Sequence, residues 1–86
     1  MKTKENIIKI LKDAAEEISL GRLKADALST QGRIIADLSF DSMDYATLML
    51  ITEQKSGIKI REDGVNWAEV QTLEQLADLF VKNSGA

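Results

Sequence analysis

The apolar residues of the first eighteen positions fall on one helical stripe. Ile7, Ile8, Leu11, Ala14, Ala15 and Ile18 follow one another at offsets of 0, 1, 4, 7, 8 and 11, with mostly polar residues between them. That spacing predicts an amphipathic helix over residues 4–18. Thr3 stands where an N-cap belongs, Glu5 lies in the first turn, where the helix dipole favours negative charge, and Gly21 lies just past the end. Residues 19–41, SLGRLKADALSTQGRIIADLSFD, break the pattern with two glycines and scattered apolar residues. A connection of that length is uncommon in a small domain; it usually carries function or short turns of its own. Its apolar residues, among them Ile34, Leu38 and Phe40, would pin it to the body.

The helical period resumes at Ser42. Over residues 42–56, Leu48, Ile51 and Thr52 mark one face and Met43, Ala46 and Leu50 another, and Gly57 supplies a stop. A helix apolar on two faces is either central in its bundle or keeps one face for a partner. Ile58-Lys59-Ile60 has no second strand to pair with and reads as an extended connector. Asp63-Gly64 marks a turn, and residues 66–70 read as a single helical turn in which Trp67, the only tryptophan, is a core or edge anchor. Thr72-Leu73-Glu74-Gln75 is a capping box that opens the last helix, residues 72–83, whose stripe is Leu73, Leu76, Ala77 and Phe80. The pattern predicts an all-α fold: a small four-helix bundle of three main helices and one short one, with a long loop between the first and second helices. It forms a single domain over residues 1–86.

Composition narrows the chemistry. The chain has no cysteine and no histidine. Disulfides, thiolate sites, cysteine nucleophiles and the commonest general base at neutral pH are thereby excluded, and an enzyme is disfavoured. Lys9, Lys12 and Asp13 interrupt the N-terminal apolar positions, so the stretch does not read as a signal peptide. No stretch approaches a membrane span in length. The expectation is a cytoplasmic protein without membrane insertion. Charge is uneven: residues 1–36 carry seven basic and five acidic residues, residues 37–86 four and nine. An acidic second half disfavours nucleic acid, which needs a basic footprint, and suits a basic protein partner.

Three readings compete at residues 37–44. Asp37 to Ser42 alternates oxygen ligands as a calcium loop does, but Ser42 stands where such a loop needs glycine and Leu48 where it needs a bidentate glutamate, so calcium is excluded. Asp41 and Asp44 lie three apart without a further polar group to complete a catalytic site. They read as helix N-terminal charges, each worth ~0.3–1 kcal/mol. Ser42 reads either as the helix N-cap, whose loss costs ~1 kcal/mol, or as a point of covalent modification. A serine at a helix start is exposed and rigidly presented. An anion on its oxygen would meet unpaired backbone N–H groups, although Asp41 and Asp44 partly oppose it.

Asp41-Ser42-Met43-Asp44 resembles the D-S-[LM]-[DE] attachment motif of acyl and peptidyl carrier proteins. The likeness extends over nearly the whole chain: an amphipathic first helix, a long loop ending in Ile35-Ala36-Asp37-Leu38, an apolar helix opening at Ser42, Ile58-Lys59-Ile60 followed by Glu62 and Asp63, and a T-x-x-Q-L-A helix. The resemblance implies that a phosphopantetheinyl transferase moves 4′-phosphopantetheine from coenzyme A onto the Ser42 hydroxyl. The thiol of that arm would hold an acyl or aminoacyl group as a thioester. The chain would then be no enzyme but a monomeric covalent shuttle. Its partners would be an acyl- or aminoacyl-loading ligase and the synthase or transferase enzymes of fatty-acid, polyketide or specialised metabolite biosynthesis. In that family the second helix is the docking surface, and the matching positions are Met43, Asp44, Ala46, Thr47 and Leu50, with Glu53 near the helix end and Asp41 beside the arm. Thr47 replaces an acid usual in fatty-acid synthesis, and Thr52 and Ser56 replace apolar residues. Tyr45-Ala46-Thr47 and the stretch from Glu62 to Trp67 are more similar to stand-alone bacterial carriers of specialised pathways, some of them aminoacyl carriers. The alternative is a non-catalytic helical interaction module without a prosthetic group, whose second helix binds a protein partner directly.

Overall fold

The first helical stripe is the core of the molecule. In the computed structural model, which describes residues 3–61 and 65–84, helix α1 (Lys4–Ile18) buries Ile7, Leu11, Ala14 and Ala15 completely and packs against both α2 (Ser42–Ser56) and α3 (Leu73–Asn83). From α3 come Leu73, Leu76, Ala77 and Phe80, and from α2 Leu48 and Met49. The described residues are all-helical: three α-helices, two 3₁₀ turns at Ala25–Ala27 and Trp67–Glu69, and no strand. The single turn expected over 66–70 is thus 3₁₀ in kind. The Asn66 side chain accepts from Ala68 N–H and starts it. It cannot lengthen into a helix because Gln71 and Thr72 are already committed to the first loop: Ile34 N–H donates to Gln71 O at 2.8 Å, and Arg33 pairs with Thr72 in an isolated antiparallel bridge. The expected Asp63-Gly64 turn lies outside the described residues.

Each helix end follows from local chemistry. Thr3 Oγ1 accepts from Asn6 N–H, and Thr72 and Gln75 form the expected reciprocal capping box. At the C-terminus of α1, Gly21 N–H donates to Glu16 O and Leu20 N–H to Glu17 O, a Schellman closure. The left-handed position that glycine usually fills in this motif is Leu20, at φ +55° and 94% exposed. A side chain there costs ~1–2 kcal/mol, and Leu20 recovers almost nothing by packing. Leu20→Gly is therefore expected to stabilise the protein by about 0.5–1 kcal/mol, after the extra entropy of glycine in the unfolded chain is subtracted. Denaturant melts of the two proteins check this; a destabilised variant would contradict it.

The 19–41 connection is tied down as its apolar residues require. Ile34, Leu38 and Phe40 are buried in the core. The Arg22 guanidinium donates to Leu38 O at 2.9 Å, and the Glu16 carboxylate accepts from Ala25 N–H at 2.7 Å. Thr30 O accepts from Glu74 N–H at 2.9 Å, one of the orphan donors at the start of α3.

Charge adds a second clamp. Lys4 lies 3.2 Å from Glu74 and 2.9 Å from Asp78, and the Gln31 amide also donates to Glu74. The Gln31 hydrogen bond, and then Lys4, hold the Glu74 carboxyl below its ordinary pKa, while Asp78 and Glu74 raise that of Lys4. The contribution of Glu74 is thus present above its unfolded pKa and is lost as pH falls through the lower folded value. That of Lys4 is present below 10.5 and is lost as pH rises through the higher folded value. Lys4→Met is expected to flatten both edges of the stability–pH profile while leaving the fold intact, as thermal melts from acid to alkaline pH would show. Unchanged edges would contradict the clamp.

Candidate functional site

Helix α2 opens with a reciprocal cap made by two aspartates. Asp41 carboxylate accepts from Asp44 N–H at 2.8 Å, and Asp44 carboxylate accepts from Asp41 N–H at 3.2 Å. The N-cap is therefore Asp41, and the reading of Ser42 as the cap is corrected. An Asx side chain one residue earlier reaches the same orphan donors, which moves Ser42 to the first helical position. There the Ser42 side chain is exposed, and among the described residues its hydroxyl makes no hydrogen bond. Asp41 and Asp44 are helix-terminal charges, as expected, and their carboxylates are tied to the backbone beside Ser42.

The two apolar faces of α2 separate, with Ile51 of the inner one half-buried. Leu48, Met49, Thr52 and Ser56 are buried, whereas Met43 is 77% and Leu50 53% exposed, with Ala46 and Thr47 also outside. The inward hydroxyls are satisfied locally: Thr52 donates to Leu48 O at 2.7 Å, and Ser56 Oγ accepts from Ile58 N–H at 3.1 Å. This is why polar residues can stand at inward positions without an orphaned group. Thr47 donates to Met43 O at 2.9 Å.

A groove of about 750 Å³ runs beside Ser42. One wall is a single stripe of α2: Ser42, Tyr45, Ala46, Met49, Leu50 and Glu53, turn after turn. The other is built from Arg33, Ile35 and Ala36 of the first loop and from Trp67, Val70 and Gln71. Tyr45 holds the walls together. Its hydroxyl donates to Val70 O at 3.0 Å, and its ring meets Trp67 edge-on, centroids 6.2 Å apart at 87°. Burial pushes the Tyr45 pKa up to about 12, so the phenol stays a donor across the neutral range. Glu53 carboxylate accepts from Ile60 N–H at 2.9 Å, which anchors the Ile58–Ile60 connector and leaves Glu53 half-buried in the groove.

Of the residues singled out in the sequence, Ser42, Ala46, Leu50 and Glu53 meet in this groove. Asp41 and Asp44 stand at its head, and Met43 and Thr47 lie on the exposed side of α2 outside it. Tyr45 and Met49 were legible as members, since they lie three and seven residues from Ser42 on the helical period. Arg33 and Gln71 were not, because only the long-range pairing of residues 33–34 with 71–72 brings them there.

No helix among the described residues is long and apolar enough to cross a membrane, and no cluster of acidic residues among them could hold a metal ion. Compared with models of known protein families and with curated proteins, the chain matches none.

Proposed function

We propose that this chain is a carrier protein of the acyl carrier type, with Ser42 as the attachment point of a 4′-phosphopantetheine arm. The observation that carries the reading is the state of Ser42: exposed, first in a rigid helix, and relieved of capping by Asp41. The fit to the arm is favourable. The free hydroxyl can be esterified without breaking a hydrogen bond, and the groove beside it is lined mainly by apolar side chains. In the attachment step, Ser42 Oγ loses its proton to the transferase and forms a bond to phosphorus of coenzyme A. The pyrophosphate P–O bond breaks, and adenosine 3′,5′-bisphosphate leaves. When bound, the arm supplies the thiol that this chain lacks; the protein presents it.

In this reading the architecture is the carrier's four-helix bundle, with the 67–69 turn in the place of the short helix. The exposed Met43 and Leu50, with Ile35 at 58% exposure across the groove, form the apolar centre of a docking face. Asp41 and Asp44 beside them would meet basic residues on the transferase, the loading ligase and the synthase enzymes, in the cytoplasm. The same exposed apolar face also suits the second reading, a helical interaction module without an arm.

The test is labelling with a fluorescent coenzyme A analogue and a broad-specificity phosphopantetheinyl transferase, followed by peptide mapping. Label on the Ser42 peptide of the wild type and none on Ser42→Ala is expected. Folded wild type that takes no label from two different transferases would leave the interaction module.

A further inference from the structure

The groove has a direction. Ser42 stands at one end, beside the Asp41–Asp44 cap. Tyr45, one turn into α2, bonds Val70. Glu53 closes the other end, in the last turns of α2. The lining holds one cation, Arg33, and one carboxylate, Glu53, which lies at the end of the α2 stripe remote from Ser42; the rest is mainly apolar side chains, among them Ile35, Met49, Leu50 and Trp67. Arg33 takes part in none of the ion pairs of the described residues.

Length matches this polarity. From Ser42 to Glu53 is eleven residues of helix, about 16 Å. An extended chain covers roughly 1.2 Å per bond, so the roughly fourteen bonds from Ser42 Oγ to the sulfur of a phosphopantetheine arm reach about 17 Å. An arm laid along the stripe of α2 would reach from Ser42 to the level of Glu53 and bring its thioester beside that carboxylate. The interior offers a long alkyl chain little: Ile7, Leu11, Leu48, Leu73, Leu76 and Phe80 have no exposed surface and pack in one cluster. Resting on the carrier reading, we infer that the groove is the bed of the loaded arm and that Glu53 selects the cargo: a small acyl group bearing an ammonium, an aminoacyl group, in preference to a neutral one. The carboxylate and the negative end of the α2 dipole both favour a positive charge there. Glu53 is a positioning residue in this account, and its bond to Ile60 N–H fixes where its charge sits.

Two arms of equal size test this. Glycyl and propionyl thioesters differ by an ammonium in place of a methyl group. Each is installed on Ser42 from its coenzyme A thioester by the transferase, and loading is confirmed by intact mass. Amide and indole spectra are recorded at about pH 6, where an α-amine is charged. The expected result is a shift of the Ile60 amide and the Trp67 indole in the glycyl form relative to the propionyl form. Glu53→Gln, which can still accept from Ile60 N–H, should abolish that difference. Identical spectra for the two loaded wild-type forms would overturn the inference while leaving the carrier reading intact. A glycyl-specific shift that survives Glu53→Gln would overturn the role of Glu53. Failure of any arm to attach would overturn the carrier reading and the inference with it.

Discussion

Phe80→Ala is expected to destabilise the protein by about 3–5 kcal/mol, the usual cost of removing a buried phenyl ring and leaving its cavity. Phe80 has no exposed surface and sits in one cluster with the apolar stripe of α1 and with Leu48 of α2. A domain of this size buries only about 60–65% of its unfolded surface, and small domains hold roughly 5–15 kcal/mol in all. The loss thus consumes a large part of the total, and the midpoint of thermal unfolding should fall by more than about 12 °C. Circular dichroism melts decide it. A fall of only a few degrees would mean that α3 does not close the core.

The second large effect separates two adjacent residues. Asp41→Ala removes the side chain that accepts from Asp44 N–H and is expected to cost about 1 kcal/mol, while Ser42 remains open to modification. Ser42→Ala removes a hydroxyl that bonds to nothing among the described residues, so the unmodified protein should keep its stability within about 0.5 kcal/mol while modification is lost completely. Were Ser42 the cap, the stability effects would be reversed. Denaturant melts of the unmodified variants, beside labelling of each, distinguish the two arrangements.

That reversal shows where the sequence alone was ambiguous. A helix start at residues 41–42 was legible from the return of the apolar period, but Asp and Ser are both good caps, and only the geometry of Asp41 and Asp44 decides between them. The α1 and α3 stripes were legible because each has one apolar face: every residue of the α3 stripe is buried, as are Ile7, Leu11, Ala14 and Ala15 of the α1 stripe, while Ile8 and Ile18 at its margin are half-buried. Helix α2 was harder. Its apolar residues lie on both faces, and the exposure of Met43 and Leu50 depends on which face α1 covers, a tertiary fact with no local signature. The hydroxyls of Thr52 and Ser56 looked like defects of an apolar core, yet each closes a hydrogen bond on the local backbone. The groove was half legible: the stripe from Ser42 to Glu53 follows from the helical period, while the opposite wall depends on contacts between residues far apart in the chain.

On the carrier reading, Ser42 holds the arm. The most direct test is the intact mass of the unlabelled protein after incubation with coenzyme A and a broad-specificity phosphopantetheinyl transferase, with Ser42→Ala alongside. A gain of one phosphopantetheine on the wild type and none on the variant is expected. A folded wild type that keeps its original mass, with this transferase and with a second of different specificity, would contradict it.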